Sequence, residues 1–527
     1  MRGLLASSIG VTCVAALALP LTPSATAATV RPAPAAEAAS AGTARATSPD
    51  TPPTRSLPNL PELPGSTQSL PLTPLTGDRA LGGAGGTGAD QGLPRRDVRH
   101  FSLLGVVWDD PAAELHGRVQ VRTRPAGTGG WSGWQDVETH NADHGADPGT
   151  PESASGRVRG ATAPLWVGDS DGVEIRVHPD TERRTEETSR GTRTLSTAAP
   201  LPTGLRLDLV DPGEATPATR EHAPAGQPRS RTRTMTKGTA PKADPPTTNA
   251  DAPTTTADAR TATADAPTTA TDTVAMTPET TEASAANTPL APLGATEIPA
   301  LDRPGTEREL FALRAAELTP AQRAKPYIGP RPSIVTRRGW GADESLRESG
   351  FRYTTTVKAA FVHHTATGNS YKCSQAPSVI RGIYRYHVKS MGWRDIGYNF
   401  LVDKCGTLYE GRAGGVAKPV LGAHTLGFNT NSMGIAVLGT FSSAKPSAAT
   451  VTAIARLTAW KLGVFGANPK AKTYLKSGGG NLYAKGKNVR LNVISGHRDG
   501  FATECPGKQL YGKLGSARST AARYQGR

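Results

Sequence analysis

Aromatic residues are scarce in this chain of 527 residues and unevenly placed along it. Only 27 residues are Trp, Tyr or Phe; residues 28–96 contain none and residues 213–326 contain one. Such stretches cannot supply a large apolar core, and their Ala, Pro and Thr content is typical of disordered spacers. The composition therefore excludes a single compact domain filling the chain, and it predicts disordered linkers over residues 28–96 and 213–326.

Long apolar runs are lacking beyond the amino terminus. Arg2 precedes a short apolar run that ends at Leu21, and residues 25–27 supply the small side chains that a signal peptidase accepts. An uncleaved membrane anchor is the alternative, but the run is short and ends in small residues. We expect residues 1–27 to be a signal peptide, and the mature protein to be secreted, extracellular or associated with a cell wall, with no membrane span.

Acidic residues are rare in the last two-fifths of the chain. Residues 321–527 contain 31 Lys and Arg against 8 Asp and Glu, a balance of +23 compared with +15 for the whole chain. A positive excess of this size favours an anionic partner. Nucleic acid and an anionic cell-wall polymer both satisfy that requirement, so charge alone does not choose between them.

Residues 97–212 are predicted to form a small all-β domain of unknown role. Alternating runs within 117–122, 165–177 and 205–209 are separated by Gly-rich turns. Trp131 and Trp134 would fit either the stacking of a sugar or packing in a thin core. This region shows no catalytic constellation.

From residue 327 onward the pattern alternates between strands and helices, which predicts an α/β domain with a mixed central sheet flanked by helices. The predicted strands cover residues 357–362, 398–402, 408–409, 435–438 and 492–495. The predicted helices begin at Ser374 and at Ala448, and end near residues 391 and 465. Residues 307–323 are predicted to form one helix that leads into this domain.

Cysteine is also scarce, with four residues, one of which lies in the predicted signal peptide. The odd number left in an exported protein implies a free thiol, an intermolecular bridge or a metal ligand. Cys505 lies eight residues after His497, and His363 ends a predicted strand. Two imidazoles and one thiolate suit Zn²⁺ and would leave its fourth position to water. Spacing alone does not identify such a site, because HExxH and CxxC motifs are lacking.

Four sequence blocks in order carry a resemblance to a known family: FVHHTAT (361–367), RGIYRYHVKSMGWRDIGYNFLVDKCGTLYEGRAGG (381–415), LGAHTLGFNTNSMGIAVLGTF (421–441) and ISGHRDGFATECPG (494–507). They resemble the peptidoglycan-recognition and type 2 N-acetylmuramoyl-L-alanine amidase family, over about residues 327–515. The resemblance implies a secreted zinc amidase that hydrolyses the lactyl-L-alanine amide bond of peptidoglycan. The alternatives are a non-catalytic peptidoglycan-binding recognition protein, of a type whose members typically lack the cysteine ligand, and a wall-adhesion protein.

The resemblance also assigns roles to individual residues. It implies that His363, His497 and Cys505 are the zinc ligands, and that Tyr398 is the catalytic tyrosine whose hydroxyl donates to the developing oxyanion. Thr503 occupies a place where relatives carry Lys or Thr, and we treat it as a catalytic candidate. The identity of the general base stays open.

The candidate substrate-binding residues are Trp340, His364, Trp393, His424 and Asn429. His424 matches a position that lines the substrate groove in relatives. Packing accounts equally well for Trp393, and Asn429 could simply form a turn. His364 follows a ligand on a strand and therefore faces the opposite side, which favours a structural role.

The resemblance and the export signal together favour a disulfide between Cys373 and Cys405, because relatives often contain a bridge in this region. The implied cofactor is Zn²⁺, and the implied partners are peptidoglycan and its muramyl peptides, with anionic wall polymers suited to the basic charge. We expect no nucleic-acid partner and a monomer. Residues 413–415 stand where animal members often carry Trp, so no stem-peptide preference is transferred.

Overall fold

A computed structural model describes residues 65–75, 90–188, 191–214 and 276–527 of the chain. The predicted signal peptide and most of both predicted linkers lie outside these residues. The described residues form two domains, one before and one after the gap at 215–275. Within them, no helix has the length and apolar character needed to cross a membrane.

The first domain is built from antiparallel strands, as its alternating sequence predicts. Its strands are β1 (Ser66–Pro71), β2 (Thr73–Pro74), β3 (Gln91–Trp108), β4 (Gly117–Pro125), β5 (Gln135–Val137), β6 (Gly160–Ala161), β7 (Leu165–Pro179), β8 (Thr181–Thr188), β9 (Gly191–Ala198) and β10 (Arg206–Asp211). Among the described residues, eight of these strands form one sheet in the order β1-β10-β3-β7-β4-β5, with β2 and β6 also paired to β3, and β8 and β9 form a separate hairpin.

Strand β3 is buried on both faces near its carboxyl end. Successive side chains of a strand point to opposite sides. Leu104 and Val106 accordingly pack into the first domain's own core, while Leu103 and Val107 join an apolar cluster shared with the second domain. One face of the sheet therefore packs on the core of its own domain, and part of the other face packs on the second domain.

The first domain starts earlier than the expected residue 97. Strand β1 pairs with β10, and β3 already begins at Gln91, so residues 65–75 and 90–96 are ordered. These edge segments gain their order from backbone pairing, which requires no aromatic side chain. Trp131 and Trp134 are half-buried outside the apolar core, where Arg95 stacks on Trp131 and Arg176 on Trp134.

The second domain contains the predicted mixed sheet with helices on both faces. Its strands are β11 (Glu297–Ile298), β12 (Ile334–Val335), β13 (Ala359–His364), β14 (Phe400–Val402), β15 (Leu408–Glu410), β16 (Ser432–Val437), β17 (Lys472–Lys476), β18 (Asn488–Asn492) and β19 (Ile494–Gly496). Seven strands of the described chain form the order β11-β12-β15-β14-β16-β13-β19, and β17 pairs with β18. Four neighbouring strands, β14, β16, β13 and β19, run parallel.

Helices cover both faces of this sheet. They are α1 (Pro278–Ala285), α2 (Arg303–Arg314), α3 (Pro320–Ala324), α4 (Arg337–Trp340), α5 (Ala376–Arg385), α6 (Ala448–Val464), α7 (Lys508–Tyr511) and α8 (Leu514–Gln525). In β16, Ile435 and Val437 belong to the apolar cluster of α6, and Ala436 to that of α5. Burial on both sides explains why the strand has no polar side chain after Ser432.

The helix predicted from Ser374 is composite. A 3-10 turn over Cys373–Gln375 leads into α5, and a π turn over Tyr386–Ser390 continues it. Residues of the π turn reach the first domain, where the Tyr386 hydroxyl donates to the Thr162 carbonyl at 3.1 Å. Helix α6 agrees with its prediction, and Ser447 caps it by accepting from the Thr450 amide at 3.0 Å.

The second domain begins near residue 276, whereas the sequence placed its start at 327. Helices α1 and α2 and the edge strand β11 all precede residue 327, and the single helix predicted over 307–323 is divided between α2 and α3. The buried Asn287 amide donates to both carboxylate oxygens of Glu410, at 2.9 and 3.0 Å. This contact and the aliphatic side chains of Ile298 and Leu310, which are buried in the main core, attach the segment without any aromatic residue.

The predicted disulfide between Cys373 and Cys405 is confirmed. It links the start of the α5 region to the turn between β14 and β15, across a sequence separation of 32 residues. Closing a loop of this length lowers the entropy of the unfolded chain, which stabilises the fold.

We predict that the double variant Cys373→Ala, Cys405→Ala lowers the free energy of unfolding by about 3–4 kcal/mol. Chemical denaturation followed by tryptophan fluorescence measures the change. Dithiothreitol should lower the midpoint for the wild-type chain and leave the double variant unaffected. Equal midpoints for the two oxidised proteins would contradict this role of the bridge.

Candidate metal centre

The parallel sheet brings two predicted ligands together. Strands β13 and β19 are neighbours, with Val362 paired to Gly496. His363 and His497 follow these paired residues, so their side chains emerge side by side at the carboxyl ends of the strands. Cys505 reaches the same place on a loop, because the Arg498 amide donates to its carbonyl at 3.0 Å.

Four buried side chains converge at this point. His363, His497, Cys505 and His144 each offer one ligand atom, and these atoms lie within 4.8 Å of one another. Nδ1 of His363 lies 3.1 Å from Nδ1 of His497 and 3.8 Å from the Cys505 sulfur. The sequence predicted the first three members, and the fourth comes from the first domain.

Hydrogen bonds on the far side of each imidazole set the direction of its lone pair. The His497 Nε2–H donates to the Asp143 carbonyl at 3.1 Å, and the His144 Nδ1–H donates to the Asp143 carboxylate at 2.9 Å. His363 Nε2 lies 3.4 Å from the Thr425 hydroxyl. Nδ1 of His497 and Nε2 of His144 are therefore left as lone-pair nitrogens, and a metal would require the same of His363 Nδ1, with the Nε2–H of that ring donated to Thr425.

The residues fit a bound Zn²⁺. Nε2 of His144 is buried and lacks a hydrogen-bond partner among the described residues. The 3.1 Å between Nδ1 of His363 and Nδ1 of His497 is close to the distance of about 3.3 Å that separates two nitrogen ligands of a tetrahedral zinc site. Two or three imidazoles with one thiolate form a donor set that binds zinc in preference to harder cations such as Mg²⁺.

Burial favours the neutral form of each candidate ligand. A metal requires neutral imidazoles but a deprotonated thiol. Burial lowers the pKa of His363 well below its usual value and that of His497 to about 3, so both rings are neutral. Burial raises the pKa of the Cys505 thiol. A divalent cation would act in the opposite direction and displace the thiol proton.

Sequence reasoning missed His144 and Asp143. Both lie in a loop between β5 and β6 of the first domain, where no catalytic motif is visible. Burial would raise the pKa of Asp143, but the neighbouring His144 and His497 hold it well below its usual value. A single sequence offers no sign that this histidine, among 11 in the chain, reaches a site more than 200 residues away.

Tyr398 lies beside the cluster, as expected of the proposed catalytic tyrosine. Its ring centre is 5.5 Å from that of His363 and 5.8 Å from that of His144. Burial, with smaller contributions from Cys505 and Asp143, raises its pKa well above the usual value, so the hydroxyl stays protonated. Thr503 lies at the edge of the cluster, where its hydroxyl accepts from the Cys505 amide at 3.1 Å.

Three predicted groove residues lie near the metal centre. The His424 ring is 5.3 Å from that of His363. The Trp393 ring contacts that of His387 at 4.4 Å, and the His387 ring lies 5.7 Å from that of Tyr398. Asn429 supports the same wall, because its side-chain oxygen accepts from the His424 amide at 2.7 Å. All of these side chains are buried, and the first domain covers part of the wall.

Two other expectations need correction. Trp340 is fully buried away from the groove, where its indole N–H donates to the Glu410 carbonyl at 2.7 Å. The surrounding core holds its ring, so it cannot wall a substrate groove. His364 accepts from the Phe441 amide at 3.3 Å through Nδ1, and its own amide donates to the Cys505 sulfur at 3.4 Å. These contacts agree with a structural role and not with substrate binding.

Two family profiles match the chain. Residues 53–200 match the Rv3811 N-terminal galactose-binding domain-like family, and residues 353–508 match N-acetylmuramoyl-L-alanine amidase. The first domain is therefore galactose-binding-like. Its last strand, β10, lies beyond the end of the match.

Similar proteins include peptidoglycan-recognition protein SC2 from Drosophila simulans and from Drosophila melanogaster. They are 31% and 30% identical over 184 residues, which are 34% of this chain and 84% of each relative. A solved structure of peptidoglycan recognition protein-LE in complex with tracheal cytotoxin, a monomeric diaminopimelic acid-type peptidoglycan, is 30% identical. That match covers 35% of this chain and 92% of the other, with a TM-score of 0.28.

We predict that the purified full-length chain binds one Zn²⁺, and that Cys505→Ser weakens its affinity by at least about tenfold, because a thiolate ligand is lost. Metal analysis after gel filtration in the presence of a competing chelator measures the difference. His178→Ala, at a partly exposed histidine that faces Asp90 in the first domain, is the control and should retain the metal. Equal zinc retention by the Cys505→Ser and wild-type chains would contradict the assigned ligand.

Proposed function

Because the chain belongs to the peptidoglycan-recognition protein family and its residues 353–508 match the amidase profile, we propose that it is a secreted zinc-dependent N-acetylmuramoyl-L-alanine amidase. It hydrolyses the amide bond between the lactyl group of N-acetylmuramic acid and L-alanine of the stem peptide. The observation that carries the proposal is the convergence of His363, His497 and Cys505 at one buried point.

These three side chains would hold the zinc ion. When bound, the ion polarises the substrate carbonyl and lowers the pKa of a water molecule. The protein's own contribution is orientation. His363 and His497 are fixed by their positions at the carboxyl ends of the paired strands β13 and β19. Fixed imidazoles keep the ligand geometry unchanged as charge develops on the substrate.

Tyr398 supplies the second part of the chemistry. Its phenol lies next to the ligand His363 and keeps its proton, so it donates a hydrogen bond to the amide oxygen as that oxygen gains negative charge. Thr503 also lies at the cluster and can only offer a hydroxyl. We therefore assign Tyr398 to oxyanion stabilisation and Thr503 to a supporting hydrogen bond.

The substrate class agrees with the charge of the second domain. Stem-peptide carboxylates and wall polyphosphates are anionic, and residues 321–527 carry a balance of +23. Five lysines lie on or beside the β17–β18 hairpin, which increases the positive charge on that side of the domain: Lys470, Lys472, Lys476, Lys485 and Lys487. Attraction of this kind raises the local concentration of the enzyme on the wall and weakens with salt.

A non-catalytic peptidoglycan-recognition protein is the second candidate. One observation favours it: four protein ligand atoms surround the metal position, and a zinc site closed by four protein ligands is typical of a structural role. The retained Cys505 and Tyr398 favour the enzyme. A turnover assay separates the two candidates.

We predict that prolonged incubation of purified peptidoglycan with the full-length chain releases peptides that carry a free amino-terminal L-alanine, as detected by mass spectrometry. EDTA should abolish the release by removing the metal. Tyr398→Phe should lower the rate by about 10²–10³-fold, because one donor to the oxyanion is lost.

Tyr371→Phe serves as the matched control, since its hydroxyl contacts the backbone of residues 404 and 438 and not the metal centre. Its rate should equal that of the wild-type chain. The same assay is run on His144→Ala, which removes the fourth candidate ligand. Absence of the L-alanine product from both this variant and the wild-type chain would refute the amidase and favour the recognition protein.

A further inference from the structure

A loop of the first domain lies across the candidate groove of the second. We call residues 138–159, which connect β5 to β6, the His144 loop. Its course is fixed at several points: the Leu426 amide donates to the Asp143 carbonyl at 3.0 Å, and the Arg159 amide donates to the Met391 carbonyl at 3.0 Å. The loop thus spans the wall that contains His424 and Trp393.

Glycines allow the close approach of the two backbones. Gly145 has a φ of +139°, which side-chain-bearing residues rarely adopt, and a Cβ atom there would lie 3.9 Å from Cζ2 of Trp393. Gly392 faces the other end of the loop, where a Cβ atom would lie 2.0 Å from the Arg157 carbonyl oxygen. At Gly392 the two backbones are therefore closer than any larger residue would allow.

His144 is the part of the loop that enters the metal centre. Asp143 orients the ring through Nδ1 and leaves Nε2 facing the three predicted ligands. Nε2 has no hydrogen-bond partner in the described part of the chain although it is buried. A buried lone-pair nitrogen without a donor is costly, and coordination of the metal removes that cost.

Two acidic residues of the loop accept hydrogen bonds from groups of the second domain in the groove. Asp147 Oδ1 accepts from the Asn429 side chain at 2.6 Å and from the Gly427 amide at 2.9 Å. Glu152 accepts from both terminal nitrogens of Arg412, each at 2.9 Å. Both partners of the Glu152–Arg412 pair are at most 9% exposed. Buried bidentate pairs of this kind fix geometry strongly.

We propose that the His144 loop is an inhibitory segment that holds the amidase latent. His144 Nε2 takes the fourth ligand position of the metal, where a hydrolase requires water, and the Asp147 and Glu152 carboxylates fill sites that would otherwise receive the acidic groups of a stem peptide. The inference rests on the proposed function. Activity then requires withdrawal of the loop, and the latent chain is active only through its minor open state.

Cobalt substitution of the full-length protein tests the ligand directly, without reference to activity. In the His144→Ala chain, water replaces an imidazole, so the visible ligand-field bands of Co²⁺ should change while the sulfur-to-cobalt charge-transfer band persists. A competing chelator should bind the metal at a concentration at least about tenfold lower than for the wild-type chain. His140→Ala is the matched control, since this histidine lies on the same loop with its side chain 83% exposed.

The rate of peptidoglycan hydrolysis tests latency. His144→Ala removes the bond between the loop and the metal and so favours the open state. If the wild-type open state is populated at about 0.1–10%, the rate should rise by up to about 10–1,000-fold, and His140→Ala should leave it at the wild-type level. Unchanged cobalt spectra and chelator affinity in His144→Ala would overturn the ligand assignment. An altered spectrum with an equal or lower rate would overturn the inhibitory role. Hydrolysis absent from every variant would refute the amidase itself, while the spectra still decide the ligand.

Glu152→Gln tests the rest of the loop while His144 is kept. Loss of the charged pair with Arg412 should increase the hydrolysis rate and speed removal of the metal by the chelator, with the cobalt spectrum of the bound state unchanged. Glu114→Gln changes an exposed acid of the same domain and should behave as the wild-type chain. Equal behaviour of the two variants would overturn the docking role of Glu152.

Discussion

The arrangement depends on one electrostatic constraint: buried imidazoles and a thiol direct their ligand atoms at a common point, where a cation would be stabilised by all of them. Nδ1 of His363 and Nδ1 of His497 lie 3.1 Å apart, each with its other ring nitrogen committed to a neighbouring group. Burial keeps both rings neutral. The parallel pairing of β13 with β19 imposes this geometry, so the sheet and the metal centre are specified together.

The first domain is coupled to the same constraint. Asp143 orients His497 through its backbone carbonyl and His144 through its carboxylate, so one residue of the first domain positions two imidazoles. The contact is supported by an apolar cluster to which Leu103 and Tyr386 contribute from opposite sides. The apolar interface holds the two domains together. Withdrawal of the loop therefore requires only that its polar contacts with the groove are broken.

The sequence predicted the parts that follow from local patterns. His363, His497 and Cys505 were implied by the family resemblance of four short sequence blocks, since their spacing alone did not identify a site. The α/β class follows from the alternation of strands and helices. Trp340 was misplaced because an indole fits both a core and a groove, and only the packing around Glu410 decides between them. His144 was missed because its role arises from docking between domains, which leaves no local pattern. The early start of the second domain was missed because the polar contact of Asn287 and a few aliphatic side chains, Ile298 and Leu310 among them, attach it without aromatic residues.

The central claim is that the chain supplies four ligands to one metal ion and thereby closes its own active site. Anomalous diffraction at the zinc absorption edge, from crystals of the zinc-loaded full-length chain, tests it most directly. The account predicts a single zinc ion with Nε2 of His144 at about 2.0–2.1 Å, together with His363, His497 and Cys505. A zinc ion with water in the fourth position and His144 turned away from it would contradict the account.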